Sequence, residues 1–300
     1  MDERTPAWEL TEDPQAFLDA VAGVLAADPV RATIVASTAD RLAARAARGE
    51  PAPEHPHWFA IARAADGEVV GAAMRTAATP PHQAHLMAME PDLATSLADM
   101  LLARGEMVPA ANGAQVPVHA FLERMRAHAG GDLVLARPTR LFELGTLVPP
   151  ARTPPGGPRP VSAAEVDVVH GWFGDFGAAA DEQAGRAPGT TDARPTRDTV
   201  ERRVTGQKLW WWEVDGAPVS LVGVVGPSLG VARLGPVFTP AAHRGRGYAG
   251  ALVAHVSALL RDRGDRVCLF TDLENPVSNA LYQRLGYEPV VDMGELRIAS

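Results

Sequence analysis

The stretch from Phe238 to Leu260, FTPAAHRGRGYAGALVAHVSALL, decides the fold of the second half of the chain. A strand-like run ends at Pro240, and apolar residues at helical spacing follow Gly250. Between them, Gly245 and Gly247 alternate with arginines. Glycine allows positive φ and close backbone approach to a ligand, and a helix N-terminus leaves N–H groups unpaired. The stretch therefore predicts a strand–loop–helix unit with an anion-binding loop.

This loop differs from two common phosphate-binding motifs. It lacks the G-x-G-x-x-G of dinucleotide-binding folds and the Gly-Lys-Ser/Thr of the Walker loop. Arg244 and Arg246 would add positive charge in a geometry suited to phosphate oxygens. A chain of this composition is expected to contain such a pattern about once by chance. Whether the loop binds an anion must therefore be judged from the secondary-structure elements around it.

Those elements predict a mixed sheet. The predicted order over residues 159–300 is β-α-α-β-β-β-α-β-α-β. An Asp-Gly turn at Asp215 marks a hairpin, and the apolar run of residues 266–274 predicts a buried strand. Asn275 is suited to cap a helix that ends at Gly286. The predicted fold class is α/β, with a mixed, mostly antiparallel sheet flanked by helices.

The first half repeats part of this pattern. Each half has an Asp-Gly hairpin, at Asp66 and Asp215, and a later helix that ends in Arg-Gly, at Arg104 and Arg263. The interval is about ten residues shorter in the first half, which matches the length of the Gly- and Arg-rich loop. We interpret this as a tandem duplication in which only the second copy keeps the loop. Two unrelated α/β domains are the alternative.

Residues 149–160, PPARTPPGGPRP, mark the predicted domain boundary. Proline fixes φ and has no N–H, so we expect a linker that continues neither a helix nor a strand ladder. The predicted domains are residues 1–148, without the phosphate loop, and residues 161–300, with it. A chain of 300 residues is long enough for two hydrophobic cores.

The composition excludes several other classes of protein. With 46% hydrophobic and 21% charged residues and a net charge of -8, the chain is expected to be globular. No basic run suggests a nucleic-acid surface, and no apolar run is long enough to span a bilayer. The single cysteine, Cys268, excludes an intrachain disulfide and a multi-cysteine metal site, and we expect it to be buried and inert. We predict a cytoplasmic protein without a metal.

Two motifs in order carry a family resemblance. The strand VARLGPVFTP, the loop RGRGYA with its R-x-x-G-x-A core, the long helix, the strand CLFTDLEN and the segment NPVSNALYQRLGYEPV together resemble the GNAT superfamily of N-acetyltransferases. The resemblance is to the branch with a degenerate GNAT-like domain before the active one. It is close over residues 231–290, fold-level over 159–300, and topological only in the first half. It implies two tandem GNAT-like domains and direct transfer of an acyl group from acetyl-CoA to an amine.

The resemblance also implies which residues bind acetyl-CoA. The strand backbone would bond the pantetheine arm, the loop amides the pyrophosphate, and two asparagines would face the pantetheine. The implied cofactor-binding residues are Val237, Phe238, Thr239, Arg244, Gly245, Arg246, Gly247, Tyr248, Ala249, Asn275 and Asn279. The N–H of Val237 is the candidate donor to the oxyanion, and Tyr282 the catalytic proton donor to the departing thiolate.

The spacing of residues in the helix after Asn275 supports the role of Tyr282 independently. One stripe, predicted to face the core, consists of Val277, Ala280, Leu281 and Leu285. Tyr282 and Asn279 lie off this stripe, one turn apart. The alternative is that Tyr282 is a boundary residue and Asn275 only a cap.

The sequence does not single out a general base. The candidates are Glu213, Asp272, Asp175, Asp181, Glu182, His170 and His243, each of which is better explained as a solvated group than as a base, with contact to the phosphates a further alternative for His243. The three tryptophans at 210–212 must alternate between the faces of a strand, and core packing is favoured over an acceptor groove.

Two other functions stay open at this point. One is a non-catalytic acyl-CoA-binding or regulatory protein, and the other is a partner-binding protein without a nucleotide. The predicted partners are acetyl-CoA and an unidentified amine acceptor, without nucleic acid or membrane. A homodimer is also left open.

Overall fold

The computed structural model describes residues 6–183, 185–187, 189 and 194–299. The chain forms two compact units. The first consists of Met1–Arg140 and Val291–Ser300, and the second of Leu141–Val290. The last ten residues of the chain therefore belong to the first unit, and the predicted boundary at residues 149–160 lies inside the second.

The first unit begins with a strand and two helices and continues with alternating strands and helices. Its elements are β1 (Ala7–Thr11), α1 (Pro14–Ala27), α2 (Thr33–Ala47), β2 (Trp58–Arg63), β3 (Val69–Arg75), β4 (Ala84–Leu86), α3 (Pro91–Ala103), β5 (Ala110–Ala114), α4 (Gln115–Ala129) and β6 (Asp132–Leu144). The last residues of β6, from Leu141, belong to the second unit.

The second unit has the same order of elements. They are β7 (Gly157–Pro160), α5 (Val166–Gln183), α6 (Arg197–Thr205), β8 (Leu209–Val214), β9 (Ala217–Ser228), β10 (Val231–Phe238), α7 (Tyr248–Asp262), β11 (Arg266–Asp272), α8 (Pro276–Arg284) and β12 (Tyr287–Ala299). The β-α-α-β-β-β-α-β-α-β order predicted for the second half is confirmed, and the described part of the first half repeats it.

In each unit the strands form a mixed and mostly antiparallel arrangement, as predicted. In the first unit the strand order is β1-β2-β3-β4-β5-β12, and only β4 and β5 are parallel. In the second unit the order β7-β8-β9-β10-β11 contains one parallel pair, β10 with β11. The predicted α/β fold class is confirmed.

The turn between β8 and β9 shows how the sequence fixes the register of the second sheet. Asp215 and Gly216 have φ values of 48° and 78°, the left-handed conformation that a two-residue hairpin of type I′ requires. The tryptophans of β8 then alternate between faces. Trp211 packs under α5 and α6, and Trp212 packs in the core beneath α7. Core packing of the tryptophan run is therefore observed.

Helix α7 is held on the sheet by apolar residues at helical spacing. Its buried side chains include Leu252, Val253, Val256 and Leu260, which pack against β9, β10 and β11. Cys268 of β11 is buried, as expected. Among the described residues, no helix combines the length and the apolar character needed to cross a membrane.

The proline-rich run at 149–160 is only partly a connection. Residues Gly157–Pro160 form strand β7, which pairs antiparallel with β8. The expectation that this run cannot join a strand ladder was wrong for these four residues. Strand β7 lies at the edge of the sheet, where a proline without an N–H is tolerated because one side of the strand has no partner.

Candidate active site

The central feature of the second unit is a gap between β10 and β11. The two strands pair in parallel only over Val231–Leu234 and Arg266–Leu269. Beyond Leu234, β10 stays paired with β9 up to Phe238, but no pairing with β11 occurs in the described residues. The register of β10 against β9 shifts between Leu234 and Val237. This bulge increases the local twist and separates the strand ends.

A cavity of about 520 Å³ fills this gap. Its wall includes the end of β10 at residues 235–239, the first turn of α7, and residues 270–272 of β11. Helix α8 contributes Val277, Ser278, Leu281, Tyr282 and Arg284, and helix α5 contributes Phe176, Ala179 and Ala180. The predicted strand, loop and second motif therefore meet at one cavity.

The loop of residues 239–247 presents a row of backbone N–H groups. Gly245 and Gly247 have φ values of 75° and 86°, which glycine adopts without strain. The first intrahelical bond of α7 joins the N–H of Ala251 to the carbonyl of Gly247. Within the described residues, the N–H groups from Gly245 to Gly250 have no hydrogen-bond acceptor in the protein. They therefore form a donor array at the positive end of α7.

The start of the loop is anchored to the sheet. The hydroxyl of Ser220, fully buried in β9, donates to the carbonyl of Phe238 at 3.1 Å and lies 2.8 Å from the Thr239 hydroxyl. Arg244 donates from Nε to the carbonyl of Thr239 at 3.1 Å. Arg244 lines the cavity, whereas Arg246 is exposed and does not. Tyr248 also reaches the cavity, but its side chain packs in the core.

The two asparagines of the second motif have different positions. Asn275 lines the cavity and caps α8, because its Oδ1 accepts a hydrogen bond from the N–H of Ser278 at 3.1 Å. Asn279 donates from Nδ2 to the carbonyls of Asp272 at 2.9 Å and Asn275 at 2.8 Å, and it is not part of the cavity wall. Asn279 thus holds the turn that presents Asn275.

Tyr282 is buried and also borders the cavity. Its side chain is 6% exposed, and burial raises the pKa of its hydroxyl. In the described part of the chain this hydroxyl has no hydrogen-bond partner. The neighbouring Tyr287, whose ring centroid is 5.9 Å away, instead pairs its hydroxyl with Ser257 at 2.7 Å. A protonated hydroxyl without an internal partner therefore borders the cavity.

The predicted core stripe of α8 was partly wrong. Leu285 is buried, but Val277 is 75% exposed and lies in the cavity wall. Val277 is in the first turn of a helix of nine residues and lies beside Ser278, which also lines the cavity. The apolar spacing therefore identified a cavity-lining position as well as a core position.

Only two of the candidate bases line the cavity, Asp272 and His243. Both oxygens of Asp272 are occupied, Oδ2 by Arg186 at 2.5 Å and Oδ1 by the N–H of Glu274 at 2.9 Å. His243 has its Nδ1 buried without a partner among the described residues. Glu213 pairs with Arg159 at 2.5 Å, on the side of the unit formed by β7 and β8.

The remaining candidates lie outside the cavity wall. They are Asp175, Asp181, Glu182 and His170. Asp181 is 1% exposed and lies 3.5 Å from Arg186, which joins it to Asp272. His170 contacts the carbonyl of Pro195 through Nε2 at 3.1 Å. The general base therefore stays unassigned.

Several cavity residues were missed from the sequence. Phe176, Ala179 and Ala180 approach from α5 at i, i+3 and i+4 spacing, which indicated a helix face but not its target. Phe270 and Arg284 also line the cavity. The described residues contain no group of histidine, cysteine or carboxylate side chains able to hold a metal ion.

Comparison with known proteins agrees with this geometry. Residues 217–294 match the family model described as FR47-like protein. No curated protein matches the chain in sequence.

Several solved structures share the fold over nearly the whole chain. A Drosophila protein is 14% identical, with 100% of this chain and 99% of its own chain covered and a TM-score of 0.63. A GCN5-related N-acetyltransferase from Sphaerobacter thermophilus is 18% identical, with 99% and 96% covered and a TM-score of 0.59. A GNAT-family acetyltransferase from Colwellia psychrerythraea is 10% identical, with 97% and 98% covered and a TM-score of 0.57. The chain has the GCN5-related N-acetyltransferase fold, which confirms the predicted resemblance to the GNAT superfamily at the level of the fold.

Proposed function

We propose that the second unit is an N-acetyltransferase that binds acetyl-CoA in the gap between β10 and β11 and transfers the acetyl group directly to an amine. One observation carries the proposal. A single cavity joins the unpaired N–H groups at the start of α7 to the hydroxyl of Tyr282. An elongated ligand with an anion at one end and a reactive thioester at the other matches this arrangement.

The residues at the loop fit the pyrophosphate of acetyl-CoA. The N–H groups from Gly245 to Gly250 lack acceptors in the described protein, and unpaired amides at a helix N-terminus bind phosphate. Arg244 in the cavity wall adds a fixed positive charge. The buried, unpartnered Nδ1 of His243 is a further polar atom beside this loop. These groups would all be satisfied by phosphate oxygens.

The open side of β10 fits the pantetheine arm and the acyl group. Beyond Leu234 this strand has one neighbour, β9, so part of its backbone faces the cavity. Amide groups of pantetheine can continue the ladder there, at Val237, Phe238 and Thr239. The N–H of Val237 is the proposed donor to the thioester carbonyl oxygen, where negative charge develops.

Tyr282 is the proposed proton donor to the sulfur that leaves. Because burial raises the pKa of its hydroxyl, the group stays protonated at neutral pH and can donate. The attacking amine must lose a proton, and we assign that step to water or to a base outside the residues named here. Asn275 is the proposed contact to the pantetheine from α8.

The first unit is proposed to lack this activity. Its β4–α3 connection, residues 87–90, is shorter than the loop of the second unit, and β4 stays paired with β5 to its end at Leu86. The N-terminus of α3 carries Glu90 and Asp92, where α7 is preceded by arginines. Two carboxylates at a helix N-terminus repel a phosphate. The proposed organisation is a degenerate GNAT-like domain followed by an active one.

The proposal is tested by calorimetric titration of the full chain with acetyl-CoA, followed by a thiol-release assay with a panel of amines. Arg244→Glu should weaken acetyl-CoA binding about tenfold or more, because it replaces a cation of the phosphate site by an anion. Arg263→Glu, at the other end of α7, is the matched control and should bind normally.

The outcomes separate the two open functions. Absence of binding at millimolar acetyl-CoA would refute the proposal. Binding without turnover of any amine would favour an acyl-CoA-binding or regulatory protein instead.

A further inference from the structure

The central peptide of the bulge in β10, between Gly235 and Pro236, has no N–H to donate to a hydrogen bond. Gly235 and Pro236 are the extra residues of the bulge, opposite Gly223 of β9. Proline has no N–H, so the next donor along the strand is Val237. The orientation of the Gly235–Pro236 peptide influences the direction of this N–H, because peptides are planar and the φ of proline is fixed, which leaves only the ψ of Pro236 free between the two groups.

A single side chain holds that peptide from the outside. Arg203 of α6 donates from Nη2 to the carbonyl oxygen of Gly235 at 2.9 Å. The guanidinium reaches this oxygen because residue 223 is glycine. A Cβ at Gly223 would collide with the guanidinium and lie 2.6 Å from the Gly235 oxygen. The contact therefore depends on residues of three elements, β9, β10 and α6.

The surroundings of Arg203 are costly for a charge. Its Nε is buried without a partner among the described residues, and the cation–π contact of its guanidinium carbon with the Phe173 ring, 5.2 Å from the ring centre, offsets only part of this cost. It forms no ion pair with a carboxylate in the described residues. Burial, and then the charge of Arg233, lower the pKa of Arg203 to about 10, so it is still cationic at neutral pH.

Stability does not explain such a residue. A buried cation without a counter-ion destabilises a fold, and an apolar side chain of similar size usually serves equally well or better. Unlike an apolar side chain, Arg203 forms a directional, charge-assisted hydrogen bond to one carbonyl of the bulge.

We infer that Arg203 is a positioning residue of the transfer reaction, which acts by holding the Gly235 carbonyl so that the N–H of Val237 faces the thioester. This inference rests on the proposed acetyl transfer. Arg203 itself does not line the cavity and touches neither substrate. Its effect reaches the reaction through the backbone of β10.

Three variants and one control test the inference. Arg203→Met removes the hydrogen bond and the charge at similar volume. Gly223→Ala keeps Arg203 but disturbs the contact from the other side, because its Cβ would displace both the guanidinium and the Gly235 carbonyl. Arg202→Met is the matched control, since Arg202 is exposed on the same helix and its side chain bonds only to Thr199 among the described residues. Arg203→Lys keeps the charge without the fork geometry.

The measurements are acetyl-CoA affinity by calorimetry, kcat and KM by thiol release, and the midpoint of thermal unfolding. Arg203→Met and Gly223→Ala should lower kcat about tenfold to a hundredfold, with acetyl-CoA affinity within about threefold, because a misplaced oxyanion donor should cost no more than the roughly 10²–10³-fold lost when such a donor is removed. The thermal midpoint of Arg203→Met should be unchanged or raised. Arg203→Lys should recover part of kcat, and Arg202→Met should match the wild type.

Each alternative outcome has one meaning. A lower thermal midpoint and lower kcat in Arg203→Met, with full kcat in Gly223→Ala, would show a structural role and overturn the inference. If the wild-type enzyme is active and Arg203→Met has the same kcat, the inference is also overturned. A wild type that binds no acetyl-CoA or turns over no amine would overturn the proposed transfer itself and this inference with it.

Discussion

Two buried tyrosines of the second unit provide a matched test of the proposed proton donor. Tyr282 and Tyr287 are 6% and 2% exposed and their rings are in contact. The hydroxyl of Tyr287 is bonded to Ser257, whereas that of Tyr282 has no protein partner among the described residues. Replacement of each by phenylalanine removes one hydroxyl from the same core. We expect Tyr287→Phe to lower stability and keep activity, and Tyr282→Phe to lower activity and keep stability.

The magnitudes follow from these contacts. Tyr287→Phe loses a hydrogen bond, while Ser257 keeps its bond to the carbonyl of Val253 at 2.6 Å. The free energy of unfolding should therefore fall by about 0.5–1.5 kcal/mol. Tyr282→Phe loses no internal bond, so its free energy of unfolding should be unchanged or rise by up to about 1 kcal/mol.

The catalytic effects should be the reverse. Loss of a general acid lowers kcat by about 10²–10⁴-fold, so Tyr282→Phe should show this loss with normal acetyl-CoA affinity. Tyr287→Phe should keep the wild-type kcat. Urea unfolding, acetyl-CoA calorimetry and thiol release measure the three quantities. If Tyr282→Phe keeps its kcat, or loses stability as Tyr287→Phe does, the hydroxyl is not the acid.

The glycine turn, the buried ion pair and the raised pKa of Tyr282 carry three further predictions. Gly247→Ala places a side chain at φ 86°, costs about 1–2 kcal/mol of strain and should weaken acetyl-CoA binding measured by calorimetry. Gly264→Ala, at φ 88° beyond the far end of α7, should cost similar stability with normal binding. Arg186→Met should lower the free energy of unfolding by about 3 kcal/mol or more, because its carboxylate partners are left in a buried site. Arg197→Met, which breaks two exposed ion pairs, with Asp167 and Glu201, should change the free energy of unfolding by less than about 1 kcal/mol, and losses equal to those of Arg186→Met in urea would contradict this reasoning. Because burial raises the pKa of the Tyr282 hydroxyl, this group ionises at a lower pH in the unfolded chain than in the folded one. Its contribution to the free energy of unfolding is therefore complete below a pH of about 10 and declines above it. Urea titrations between pH 10 and 12 should show a decline shallower by about 1.4 kcal/mol per pH unit in Tyr282→Phe than in the wild type.

The sequence was sufficient for the parts of the fold that depend on local signals. The Asp-Gly hairpin at Asp215, the helical spacing of α7 and the asparagine cap of α8 each depend on a few neighbouring residues. The order of elements follows from these signals alone. The loop at 239–247 was also visible, because glycine marks positive φ wherever a turn needs it.

Other features depend on contacts between distant residues and could not be predicted. Arg203 is 32 positions from Gly235, and its target is the carbonyl of a bulge that no side-chain pattern marks. Arg186 reaches Asp272 from a separate element, 86 positions away. Val277 was misassigned because apolar spacing does not distinguish a core contact from an exposed apolar position in a cavity wall.

The first unit is built from two segments that are far apart in the sequence, residues 1–140 and residues 291–300. From Val291 onward β12 belongs to the first unit, where Met293–Arg297 pair antiparallel with β5. A stop codon after residue 290 would therefore leave the edge of β5 uncovered in a unit encoded almost 150 codons earlier. Bare strand edges pair with other chains. The first unit therefore cannot complete its sheet during synthesis until the ribosome has translated Met293–Arg297, which follow the whole of the second unit in the sequence.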